Sequence, residues 1–182
     1  KRYSDDIKVT DLLYSCYEQL NVNGTCADAF KPIRARFTDI AKQLGLKLDI
    51  KAVLDESERR IEEENSEDFT ASRGEYLSAR IVAEELGAKF IDAHDVIFFN
   101  EDGTLNGEKS YKAIASAVAG AERAVLPGFY GCGADGKVKT FSRGGSDITG
   151  AVVARAVNAS VYENWTDVSG FLACDPRIVD SP

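Results

Sequence analysis

The sequence predicts an α/β fold: an open, mostly parallel sheet sandwiched by helices. Three observations carry this. Amphipathic helical patterns fill the first half of the chain. In the second half, short apolar runs of strand length alternate with further helical patterns. A double-glycine segment, Arg143-Gly-Gly-Ser-Asp147, then runs directly into the apolar helical repeat Ile148, Val152, Val153, Ala156. The 182 residues suit one domain of ordinary size. The helix-heavy first half is unusual, since such folds normally open on a strand.

Taken in order, Val9, Leu12, Leu13, Cys16 and Leu20 share one helical face. Phe30, Ile33, Phe37, Ile40, Ala41 and Leu44 share a second, and Gly24 and Gly45 punctuate the two runs. A third helix is expected from about Asp49 to Glu64, with Ile50, Val53, Leu54 and Ile61 inward and the charged run Glu56 to Glu64 as its solvated face. A fourth spans roughly Asp68 to Leu86 and stops at Gly87. The register then changes: residues 88–93 and 96–99 read as short strands. The loop from Asn100 to Glu108 faintly resembles a calcium loop, but its ligand spacing is wrong for that role. Tyr111, Ile114, Val118 and Ala121 mark another helix, and residues 124–127 a strand leading into the turn Gly128 to Gly133. Asp135-Gly136 reads as a tight turn, and residues 160–165 as a last strand.

Composition narrows the function. The net charge of −8, with no compensating basic run, argues against a nucleic-acid or anionic-membrane surface. No apolar stretch approaches the roughly 20 residues of a membrane span, and the N-terminus is no signal peptide. Cys16, Cys26, Cys132 and Cys174 lack CxxC spacing, so four reduced thiols in a cytoplasmic protein are expected. Three N-x-S/T sequons, at Asn23, Asn158 and Asn164, are read as coincidence. A single histidine, His94, disfavours a His-based zinc site or a Ser-His-Asp triad, and no residue is assigned as a metal ligand.

The chemistry points to the Arg143–Asp147 segment. Gly144 and Gly145 expose backbone N–H groups and admit a ligand close to the main chain. At a helix N-terminus those donors and the dipole favour an anion. Ser146 or Asp147 could instead simply cap the helix. Further along, Thr166 and Asp167 would stand at a strand tip, able to bond a polar ring or a ribose, and Arg177 offers a bidentate phosphate donor. A turn held by Asp175-Pro176 is the alternative for that region. Ser72-Arg-Gly-Glu75 has the form of a capping box. Yet a helical pattern begins before it, and Gly74 inside a helix costs about 1 kcal/mol relative to Ala unless something must approach closely. Glu75 would then be a carboxylate aimed at a cationic group.

Together, Ser72-Arg-Gly-Glu75-Tyr-Leu-Ser78, Gly128-Phe129, Gly136, Thr140-Phe-Ser-Arg-Gly-Gly-Ser-Asp147, Trp165-Thr-Asp-Val-Ser-Gly170 and Asp175-Pro-Arg177 resemble, in order and spacing, the signature of the aspartate kinases of the amino-acid kinase family. The resemblance runs along the whole chain. It implies the amino-acid kinase fold and transfer of the ATP γ-phosphoryl group to the β-carboxylate of L-aspartate, the entry step to lysine, threonine and methionine. It further implies that Glu75 binds the substrate α-ammonium and that Arg143, with Ser146 beside it, clamps a substrate carboxylate. Asp147 would orient the groups around the transferring phosphoryl. Gly144 and Gly145 would line the phosphate site, while Thr166, Asp167 and Arg177 would hold the nucleotide, with Mg²⁺ bridging its phosphates.

Several departures accompany these matches. The family's opening Lys-Phe-Gly-Gly-Thr-Ser strand is absent, as are a nucleotide-contacting Lys after the Asp-Pro-Arg turn and the C-terminal regulatory domains. Ser142 replaces the usual Gly before Arg143, and Leu172 stands where many members have Tyr. Residues 1–182 are therefore expected to form a partial catalytic domain, inactive as it stands. Its exposed sheet edge and helix faces would favour self-association into a homo-oligomer. Two alternatives remain: a glutamate or acetylglutamate kinase of the same fold, and a non-catalytic module.

Overall fold

Four helices build the first half of the computed structural model, which describes residues 7–142 and 144–165. Helix α1 (Val9–Asn23) ends where Gly24 turns left-handed (φ 75°) and returns its N–H to Leu20. Helix α2 (Ala27–Leu44) ends the same way at Gly45. Helix α3 (Ile50–Glu64) starts under Asp49, whose carboxylate accepts the Ala52 N–H, and helix α4 (Glu67–Glu85) under Ser66, which accepts that of Phe69. Their apolar faces meet in one core around Leu13, Cys16, Phe30, Ile33, Leu54 and Ile61, all fully buried. The charged run on α3 lies outside it: Arg59 bridges Glu56 and Glu63, and Arg60 bonds Glu64. Arg34 ties α2 to α3 through Asp55 and Glu58.

The second half holds the strands. β1 (Lys89–Phe90) pairs in parallel with β2 (Ala124–Val125), with Lys89 opposite Ala124. Between them lie the one-turn helix α5 (Ala93–Val96) and helix α6 (Gly107–Val118). β3 (Tyr130–Cys132) and β4 (Val138–Thr140) form an antiparallel hairpin closed at Gly136 (φ 81°). Helix α7 (Gly145–Ala156) follows. Among the described residues the parallel sheet is thus a single strand pair, and Phe98, downstream of β1, makes an isolated parallel bridge to Cys132 of the hairpin.

Three expectations are corrected here. The strand over 88–93 shrinks to two residues, because Asp92 accepts the N–H of His94 and starts a helical turn. That turn also consumes the start of the expected strand over 96–99, leaving Phe98 and Phe99 isolated bridges. Residues 160–165 form no strand; they run back along α7 without a ladder partner. In the calcium-like loop, Asp102 is satisfied locally by the N–H and hydroxyl of Thr104.

Ile91, Ile97, Phe99, Ile114, Tyr130, Phe141 and Val152 form a second core. Helix α4 lies between the two: its Tyr76 packs against both clusters, as does Val138 of β4. The Thr140 hydroxyl also donates to Asp68 in the first turn of α4. Helix α4 is therefore fixed against the hairpin that leads into α7.

Candidate functional site

A cleft of about 330 Å³ opens between α4 and the start of α7, with Val9 and Thr10 of α1 at its edge. Gly74, Glu75 and Ser78 form one wall, and Phe129, Gly144, Gly145, Ser146 and Asp147 the other. Four features of the local chain shape the second wall. Gly144 takes the left-handed conformation (φ 59°) and is the residue before the helix, with no side-chain cap. A Cβ on Gly145 would lie 2.9 Å from Phe129 Cα, and one on Gly128 would lie 2.9 Å from Ser146 Cα. The loop after β2 therefore presses directly on the first turn of α7. Phe129 itself has φ 79°, a strained value for a residue with a side chain.

This settles two alternatives. Ser146 and Asp147 lie inside α7, so neither is its cap, and the first-turn N–H groups have no carbonyl one turn earlier to bond. Both side chains are exposed at the cleft. Ser72 lies within α4, a turn and a half past the real cap Ser66, so Ser72–Glu75 is not a capping box. The Ser72 hydroxyl donates instead to Phe69 O (2.6 Å) and accepts from the Arg73 guanidinium. Gly74 makes room for α1 as well as the cleft, since a Cβ there would meet Leu13 Cδ1 at 3.3 Å and Val9 Cγ1 at 3.4 Å.

Glu75 is exposed at the cleft, and among the described residues no hydrogen bond or ion pair reaches its carboxylate. Partial desolvation between the cleft walls pushes its carboxyl pKa up. Across the cleft, Asp147 accepts one hydrogen bond, from Asn164 Nδ2 to its Oδ1 at 3.1 Å. The cleft thus sets an acid without a partner among the described residues against a helix N-terminus with no side-chain cap. One side suits a cation, the other an anion. An apolar groove of about 510 Å³ adjoins it, sharing Glu75 and Ser146 and lined by Ile91, Leu126, Val153 and Tyr162.

The amino acid kinase family model matches residues 26–182. The chain belongs to this family. Aspartokinase 3 of Bacillus subtilis is 32% identical, covering all of this chain and 43% of that protein. The crystal structure of Clostridium acetobutylicum aspartate kinase superposes with a TM-score of 0.89 at 49% identity, over all of this chain and 42% of that one. Escherichia coli aspartokinase III, solved in complex with aspartate and ADP, gives 0.76 at 25% identity, over 97% of this chain and 44% of its own. The chain thus spans less than half the length of these amino acid kinases.

Of the residues that sequence reasoning assigned to this amino acid kinase site, the structure brings Glu75, Gly144, Gly145, Ser146 and Asp147 around one cleft. Arg143, Thr166, Asp167 and Arg177 lie outside the described residues. Sequence reasoning missed Thr149, whose hydroxyl supports Phe129 and the first turn of α7, and Asn164, the partner of Asp147. Thr149 carried a usable signal, being four residues after a helix-opening glycine, where a threonine hydroxyl reaches back to the i−4 carbonyl. Asn164 carried none. It missed also the buried group behind Glu75. There the Arg73 guanidinium stacks over the rings of Phe69 (4.2 Å), Tyr76 (4.4 Å) and Tyr130 (5.5 Å), and the Tyr130 hydroxyl donates to Asp92 at 2.7 Å. Burial pushes the Arg73 pKa down, against the nearby Tyr130 and Asp92.

Proposed function

We propose that this chain is catalytic-domain sequence of an aspartate kinase, moving the γ-phosphoryl group of ATP to the β-carboxylate of L-aspartate to give ADP and aspartyl phosphate. The observation that carries the reading is Glu75: a carboxylate exposed at the cleft, without a partner among the described residues, facing a helix start across a cleft sized for a small molecule. An amino acid presents an ammonium and carboxylates in one compact body, and this cleft offers complementary ends for both. The 49% identity to an aspartate kinase and the aspartate and ADP bound by the Escherichia coli relative support the same assignment.

In this reading Glu75 binds the α-ammonium, and Arg143 with Ser146 receives a substrate carboxylate. The N–H groups at Gly144 and Gly145 face the phosphates. Asp147 holds groups in line around the transferring phosphoryl, and Thr166, Asp167 and Arg177 belong to the nucleotide side. Phosphoryl transfer depends mainly on such positioning and charge neutralisation. The described residues contain no group of three or more His, Cys, Asp or Glu able to hold a metal. Mg²⁺ would be carried on the nucleotide phosphates, whose charge it would neutralise, with Asp147 orienting those phosphates around the transferring group. A cytoplasmic location and a homo-oligomeric assembly complete the proposal. The unbridged Cys16, Cys26 and Cys132 suit a reducing compartment, and no helix of the described residues is long and apolar enough to cross a membrane.

The test is trapping of the acyl phosphate as a hydroxamate, with the protein expressed from its complete reading frame and supplied with Mg²⁺ and ATP. L-Aspartate should give product and L-glutamate or N-acetylglutamate should not. Product from either of the latter alone would replace the assignment by another amino acid kinase. No product from any acid would leave a non-catalytic module.

A further inference from the structure

The chain leaving α7 reverses direction within a few residues. Asn158 takes a left-handed turn (φ 51°), and the Ala159 N–H returns to Ala154 O at 2.9 Å. The following segment then lies back along the helix. Gly150 makes this possible, because a Cβ there would collide with the Tyr162 hydroxyl. Two residues beyond Tyr162, Asn164 reaches the first turn of α7, where its Nδ2 donates to Asp147 Oδ1 at 3.1 Å. No other described group bonds the Asp147 carboxylate.

We propose that Asn164 is a positioning residue for the reaction, fixing the Asp147 carboxylate so that its second oxygen faces the cleft, with Tyr162 seated on Gly150 as the anchor. The inference rests on the kinase reading above. Left to itself, an exposed aspartate in the first turn of a helix swings among rotamers, and in some of them it bonds nearby main-chain N–H groups. Either motion would harm the site. The carboxylate would lose its direction, and the donors needed for an anionic ligand would be occupied. A side-chain amide corrects both at once. It supplies one directional hydrogen bond, and being neutral it leaves the negative charge of Asp147 intact for a cationic partner. A lysine or arginine at this position would orient the carboxylate but also cancel its charge.

The experiment is a double-mutant cycle on the protein from its complete reading frame, read by hydroxamate formation. Asn164→Ala should lower kcat about tenfold while KM for L-aspartate stays within about twofold, because the ammonium and carboxylate sites are untouched. In an Asp147→Asn background the same change should add less than about twofold, since the group through which it acts has gone. Asn164→Asp, which sets a second carboxylate against the first, should lower kcat at least as far as Asn164→Ala. An unchanged kcat in Asn164→Ala would overturn the inference while leaving the kinase reading intact. So would an equal loss in both backgrounds, the mark of a general structural effect. Wild-type protein that forms no acyl phosphate would overturn the kinase reading, and the role of Asn164 with it.

Discussion

Thr149 holds Phe129 in its strained conformation: the Thr149 hydroxyl accepts the Phe129 N–H at 3.3 Å while donating to Gly145 O at 2.7 Å. One buried hydroxyl thus joins the loop after β2 to the first turn of α7. Phe129 at φ 79° needs such an external tie, because its own side chain disfavours that backbone state.

Thr149→Val keeps the volume and removes both bonds, stranding the Phe129 N–H. The expected loss is about 1–3 kcal/mol, with Thr149→Ser retaining most of the stability. Denaturant unfolding of the two variants checks this. Equal stabilities for Val and Ser would show that the hydroxyl does not hold the loop.

Glu75 makes stability depend on pH. Its folded pKa is raised by partial desolvation, so the folded state binds the proton more tightly than the unfolded chain does. Its stability contribution is therefore intact below the unfolded carboxyl value of about 4.3 and is lost as pH rises through the folded value. Glu75→Gln should raise the melting midpoint near neutral pH, and the gain should vanish at about pH 4. A ligand ammonium reverses the effect by favouring the ionised form. Binding of L-aspartate should accordingly release protons, measurable by calorimetry in buffers of different ionisation enthalpy. A Gln variant no more stable at neutral pH than at acid pH would contradict the desolvation argument.

Arg73 is held by rings and a neighbouring hydroxyl, with no carboxylate ion pair among the described residues. Buried charge of this kind gives little net stability, so Arg73→Met should change it by no more than about 1 kcal/mol. Ser72 keeps its bond to Phe69 O in that variant. Arg73→Ala should instead lose about 2–4 kcal/mol by opening a cavity beneath α4. Thermal melts of both distinguish packing from charge.

The helices were legible because their periodicity, caps and stopping glycines agree. Ser66 and Asp49 cap where a polar residue precedes an apolar repeat, and Gly24 and Gly45 stop their helices in the left-handed state. The strands were less so. Residues 88–93 and 96–99 read as strands, but the Asp92 carboxylate bonds a main-chain N–H two residues on and tips residues 93–96 into a helical turn. The start of α7 was visible in Gly144-Gly145, and Glu75 stood out because a glycine precedes it within a helix. Contacts set by tertiary folding had no local signature. The pairing of Asn164 with Asp147 spans 17 positions and depends on a reversal at Asn158. The caging of Arg73 draws rings from α4 and from β3.

Helix α4 contributes Tyr76 to both cores and carries Glu75 between them. Neither half can then melt while the other persists, because loss of either core strips one flank of the shared helix. Glu75 accordingly sits on a helix shared by both cores, and the amides of α4 should exchange with solvent only through global unfolding. A site mounted there keeps its geometry through the fluctuations that loosen loops and chain ends.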